Sequence, residues 1–189
     1  KLHEDMKSLA KAYQSRMFDN ATDYRMAMIE RGCQDKDRLD KMIEIVKDSE
    51  TIQPLIFYQH NAVKDAIMAR LDEENIEFQI VAGGNSVLNV DRSKDTPILV
   101  QYQSGSEGAE FKVSNTSIFY ENQSSYRVLE QARGRNRRRG MQHEIHQHHI
   151  ISPVIYDMDI FSRVIQRGEL SKKVLDEMTE QSLEILKGA

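Results

Sequence analysis

Five short runs with strand character, separated by helical and loop segments, constrain this chain more than any other feature of it. Leu55-Ile-Phe-Tyr58 is apolar without a break, the pattern of a strand covered on both faces. Phe78-Gln-Ile-Val-Ala82, Ile98-Leu-Val-Gln-Tyr102 and Ser117-Ile-Phe-Tyr120 follow, and Glu144 to Ile151 offers a fifth strand. Between them come an amphipathic stretch that begins at Asn61 and runs through Val63, Ala66, Ile67 and Leu71, a short helical piece from about Ser86 to Lys94, and a helix that Ser124 or Ser125 can cap. Strands alternating with helices at this spacing predict an α/β fold with a mostly parallel sheet flanked by helices. Ligands of such sheets collect beyond the carboxyl ends of the strands. The loops after Tyr58, Ala82 and Tyr102 all belong to that edge.

The flanks read as helix. Leu2, Met6, Leu9, Tyr13 and Met17 keep a 3–4 spacing, which Met26 and Ile29 resume after an interruption at Asp19-Asn20, and Gly32 closes the segment. Asp35 can cap a second helix with Leu39, Met42, Ile43 and Val46 on its apolar face. From Tyr156 to Leu186 the pattern is helical again, broken at Gly168. Residues 1–50 are therefore expected to form a helical extension, 51–155 the α/β domain, and 156–189 a C-terminal helical segment packing on it. No run approaches the roughly 18 apolar residues that span a bilayer, so no membrane partner is expected. The opening Lys1-Leu-His-Glu-Asp5 has no apolar h-region, and Cys33 stands alone, which together make a reducing cytoplasm the expected location.

One stretch concentrates charge. Five of the seven residues from Arg133 to Arg139 are arginine, in a chain whose net charge is −4. Three readings compete: a solvated basic turn, an arginine-rich strip that binds nucleic acid by counterion release, and a spaced phosphate clamp. The third rests on a Gln-x-x-Gly-Arg-x-x-Arg frame formed by Gln131, Gly134, Arg135 and Arg138. On a helix, Gln131, Arg135 and Arg138 would fall at i, i+4 and i+7 and share one face. A planar guanidinium fits phosphate oxygens two at a time, which suits such a clamp.

Other motifs are weaker. No glycine stands ahead of a Gly-Lys-Ser/Thr at P-loop distance, so the chain is not expected to hold Mg-ATP by itself. Asp72-Glu-Glu-Asn75 ends an amphipathic helix and reads as a solvated helix end. The loop Ser104-Gly-Ser-Glu-Gly-Ala-Glu110 is either an ordinary glycine-bearing turn or a backbone N–H cradle for phosphate or ribose, with Glu110 as hydroxyl acceptor. His143, His146, His148 and His149 invite a metal, but no cysteine is near and no structural-zinc spacing is met. In an extended strand His146 and His148 share one face and His149 takes the other, so a partly exposed edge strand is the expectation and no metal site is assigned.

In order along the chain, these pieces resemble the second RecA-like domain of superfamily 2 helicases, most closely the Swi/Snf-type DNA translocases, including phage-encoded relatives. Pro54-Leu-Ile-Phe-Tyr-Gln-His60 resembles helicase motif IV. Gln101-Tyr-Gln-Ser-Gly-Ser-Glu-Gly-Ala-Glu-Phe111 resembles motif V, and Gln131-Ala-Arg-Gly-Arg-Asn-Arg-Arg-Arg-Gly140 resembles motif VI. Lys36 to Ile45 is similar to the family's helix before motif IV, and Tyr156-Asp-Met-Asp-Ile-Phe161 to its terminal segment, so the likeness covers roughly residues 36–178. Glu110 stands where the family has Asn or Asp, and Ser106 and Met141 replace a Gly and a Gln.

The resemblance implies a division of labour. ATP with Mg2+ would be bound mainly by the N-terminal RecA-like domain of the same parent chain, with motif VI reaching across the cleft. Arg135 and Arg138 would touch the γ-phosphate, Arg138 as the arginine finger, and Gln131 would orient the helix or the attacking water. Gly108 and Glu110 would sit near the ribose. Gln59, Gly83, Asn85, Gln101 and Ser104 would line a track for DNA, duplex and read without regard to sequence. The implied function is the C-terminal motor domain of an ATP-dependent DNA helicase or translocase, inactive alone because its Walker motifs lie elsewhere. The alternative is a helicase-like module that binds nucleic acid or protein without hydrolysis.

Overall fold

A computed structural model describes residues 21–48, 50–83, 90, 91, 94–103, 111, 113–137, 144–152, 162, 164 and 166. In chain order the elements are α1 (Ala21–Gly32), α2 (Lys36–Val46), β1 (Leu55–Tyr58), α3 (Asn61–Glu73), β2 (Gln79–Val81), β3 (Ile98–Gln101), β4 (Thr116–Phe119), α4 (Tyr126–Arg133) and β5 (His146–His149). The strands form one sheet in the order β2-β3-β1-β4-β5, and every pairing is parallel. Each strand lies within its predicted run except β4, which starts one residue earlier, at Thr116. The helical flanks are only partly described: α1 ends at Gly32, Asp35 caps α2 by accepting from the Asp37 N–H at 3.3 Å, and residues 1–20 and most of 156–189 lie outside the described residues.

The unbroken apolar character of β1 follows from its position between β3 and β4, with both faces covered. Alternation divides its side chains between two cores. Ile56 and Tyr58 join Met42, Ile43 and Ile45 of α2 and Val63, Ile67 and Leu71 of α3 on one side. Leu55 and Phe57 face Leu129 and Ala132 of α4 on the other, together with Val100 and Phe119. Helices thus cover both faces, and the molecule has three layers.

Within the α4-side core, four rings form a ladder across four neighbouring strands. Phe57 lies 5.5 Å from Tyr102, which directly follows β3, and stacks on Phe119 of β4 at 5.1 Å. Phe119 stacks in turn on His149 of β5 at 4.5 Å and 16°. Offset and stacked aromatic pairs of this kind add about 0.5–1.5 kcal/mol each beyond their buried area. On the opposite face, the Arg38 guanidinium of α2 lies over the Tyr120 ring and donates to the Tyr120 carbonyl at 2.5 Å. The Tyr120 hydroxyl donates to the Cys33 carbonyl, so the α1–α2 turn is tied to the carboxyl end of β4. Burial pushes the Cys33 thiol up to about 11, which keeps it protonated and unreactive at neutral pH.

Candidate functional site

Because all strands run the same way, the ends of β3, β1 and β4 deliver their next residues to one edge. Gln59 and His60 follow β1, Gln101 ends β3, and Glu121, Asn122 and Gln123 come just after β4. Glu121 reaches back to the entrance of α3. One of its carboxylate oxygens accepts from the backbone N–H of Gln59 at 2.7 Å and of His60 at 3.0 Å, and the other pairs with His60 Nδ1. His60 occupies the N-cap position of α3 without capping it through its own side chain. A carboxylate at this point also faces the positive end of the helix dipole.

The glutamines of the edge bond to one another. Gln101 Nε2 donates to the Gln59 carbonyl at 3.3 Å, and Gln123 Nε2 donates to Gln59 Oε1 at 2.9 Å. Gln123 Oε1 accepts from the Ser125 N–H at 3.2 Å, where the Ser125 hydroxyl makes no cap. Two residues expected in the nucleic-acid track, Gln59 and Gln101, are therefore in contact. Gly83 lies on the same edge beyond β2, exposed and with open space where a Cβ would stand. Asn85 and Ser104 lie outside the described residues.

The arginine segment departs from expectation. Gln131 and Arg135 do not share a helical face, because α4 ends at Arg133. Gly134 is its C-cap, and Arg135 follows in a bend with its N–H donated to the Ala132 carbonyl at 3.1 Å. Two causes end the helix there. Glycine costs about 1 kcal/mol in a helix interior, and the Arg135 carbonyl is taken at 3.2 Å by the N–H of Phe111. Gln131 is exposed on α4, whereas Arg135 is buried. Asn136 beside it is fully buried, with neither amide atom hydrogen-bonded among the described residues. Arg138, Gly108 and Glu110 lie outside them. The Phe111–Arg135 bond nevertheless joins the end of the glycine-bearing loop to the arginine segment.

Arg133 and His149 form a second link, which the sequence reading missed. Arg133 donates to Glu130 Oε1 at 2.7 Å, and its Nη2 lies 2.9 Å from His149 Nε2. Arginine can only donate, so Nε2 is the acceptor and the ring proton sits on Nδ1, 3.1 Å from Asn122 Oδ1. Burial, then the Arg133 charge, then His148 push the His149 pKa down to about 3, so the ring is neutral. His148 is lowered too, first by burial and then by His146. A usable signal was present: the period of two sets His149 apart from His146 and His148, on the face that packs inward. β5 lies at one end of the sheet order, as the edge-strand reading expected.

No protein-family model matches this sequence, and no curated protein does. Solved structures do. The chain is similar to the C-terminal part of the Fun30 ATPase domain, with a TM-score of 0.60 at 20% identity, covering 80% of this chain and 53% of that one. It is also similar to the C-terminal domain of the DEAD-box protein Dbp5, with a TM-score of 0.55 at 15% identity, covering 72% of this chain and 82% of that one. The chain has a RecA-like fold. It spans about half the length of the Fun30 structure. The edge carrying Gln59, Gln101 and Gln123 and the bend carrying Arg135 both belong to this one α/β scaffold.

Proposed function

We propose that this chain is the C-terminal motor domain of an ATP-dependent DNA helicase or translocase. The observation that carries the reading is the hydrogen bond from the Phe111 N–H to the Arg135 carbonyl. It brings together the two segments that resemble helicase motifs V and VI, which are far apart in sequence. The fold shared with the C-terminal part of an ATPase domain and with a DEAD-box domain supports the same reading.

In this account ATP with Mg2+ is held mainly by an N-terminal RecA-like domain of the parent protein, which supplies the phosphate cradle and the metal. The residues here suit the remaining anionic face of the nucleotide. Arg135 brings a guanidinium, and the Asn136 amide beside it, without a hydrogen-bond partner among the described residues, offers neutral polar atoms, a set that favours an anion over a metal ion. Arg135 and Arg138 neutralise charge that builds on the γ-phosphate, Gln131 orients the helix or the attacking water, and Gly108 and Glu110 flank the ribose. Gln59, Gly83, Asn85, Gln101 and Ser104 contact the DNA backbone, which gives grip without sequence preference.

The reading predicts that the isolated chain has no DNA-stimulated ATP turnover, since half of the nucleotide site is missing. Steady hydrolysis by highly purified chain, abolished by substitution of Arg138, would contradict it. Colorimetric phosphate release with and without duplex DNA makes the measurement.

A further inference from the structure

The network at the carboxyl edge fixes which way one amide points. The Ser125 backbone N–H can only donate, so the atom of Gln123 facing it at 3.2 Å is the oxygen. The Gln123 NH2 group is thereby turned toward Gln59, and the Gln59 atom that meets it at 2.9 Å must be the acceptor, Oε1. The other polar groups of Gln59 are also engaged. Its backbone N–H donates to Glu121, and its carbonyl accepts from Gln101. What remains is the Gln59 Nε2, with two hydrogens and no acceptor among the described residues, on a half-buried side chain at the strand edge.

We propose that Gln123 is a positioning residue that holds the Gln59 amide with its NH2 outward, as a donor for a nucleic-acid phosphate oxygen. The inference rests on the reading of Gln59 as part of the nucleic-acid track and adds a residue and a polarity to it. A glutamine free to flip offers donor or acceptor equally, and phosphate takes only donors. Gln123 removes that ambiguity. Because both amides are neutral, the contact releases no counterion, and its loss leaves the salt dependence of binding unchanged.

The test is a fluorescence-anisotropy titration of labelled duplex and single-stranded DNA with the whole chain at two salt concentrations. The variants are Gln59→Ala, Gln123→Met, Gln123→Glu and the double variant Gln59→Ala/Gln123→Glu. Gln59→Ala is expected to weaken binding about tenfold, the scale of one hydrogen bond to a charged group. Gln123→Glu should weaken it comparably, because a carboxylate turns the Gln59 NH2 inward. Gln123→Met frees the amide to flip and should cost about half of that loss on a logarithmic scale. In the Gln59→Ala background Gln123→Glu should add at most about twofold, the non-additivity of residues acting through one contact. The salt slopes of Gln59→Ala and Gln123→Met should match that of the unsubstituted chain. If Gln59→Ala weakens binding while the Gln123 variants do not, or lose as much without Gln59, the positioning role is overturned. If Gln59→Ala has no effect, or the unsubstituted chain binds neither probe at low salt, the track reading itself fails and takes the inference with it.

Discussion

His149 is held neutral from three sides. Phe119 stacks on its ring, Arg133 occupies Nε2, and Asn122 takes the proton on Nδ1. Protonation would put a second positive charge against Arg133 and remove its acceptor. The folded pKa, about 3, lies below the ordinary value of 6.5, so the unfolded chain binds the proton first as pH falls. The contribution of His149 to stability is therefore complete above pH 6.5 and is lost as pH drops toward 3. One such proton gives a slope of up to about 1.4 kcal/mol per pH unit within that window. Urea unfolding at pH 7 and pH 5 should show stability falling, and His149→Gln, which can keep both hydrogen bonds without titrating, should flatten the fall. An unchanged slope in the variant would show that His149 is not the group responsible.

At the scale of elements, the entrance to α3 depends on a carboxylate more than sixty residues away, since Glu121 bonds Gln59 and His60. Glu121→Ala should destabilise the chain by about 1–3 kcal/mol, leaving two partly buried N–H groups without their acceptor. Glu121→Gln should cost less, because its amide oxygen still accepts. The midpoint of urea unfolding measures both, and an Ala variant within about 0.5 kcal/mol of the unsubstituted chain would refute the role. Contacts of this range are what the sequence hides. Leu55-Ile-Phe-Tyr58 announced a buried central strand because both of its faces had to be apolar. Asp35 announced the start of α2 because its cap is local. Glu121 and Gln123, by contrast, are single polar residues after a strand, and only the parallel packing of β3, β1 and β4 gives them partners. The end of α4 is hidden in the sequence for a related reason. Arginine is a good helix former, so the spacing of Gln131, Arg135 and Arg138 suggested one continuous face. Gly134 and the distant Phe111 N–H decided otherwise.

For the whole molecule, we propose that one RecA-like scaffold carries two tasks: an edge of neutral amides that grips a phosphate backbone, and an arginine bend that completes a nucleotide site on another domain. With the helical face gone, Arg138 is set apart from Arg137 and Arg139 by its place in the resemblance to motif VI alone. That makes the comparison of these three arginines the most direct test. Single-turnover ATP hydrolysis is measured in the parent protein carrying Arg138→Lys, Arg137→Lys or Arg139→Lys, each saturated with duplex DNA. Lysine keeps the charge but loses the planar fork, so Arg138→Lys should lower the rate by about 10³ or more, the scale of an arginine finger, with DNA binding nearly unchanged. Arg137→Lys and Arg139→Lys should stay close to the unsubstituted rate. Equal losses at all three positions, or no loss at Arg138, would contradict the account and leave a general basic strip in its place.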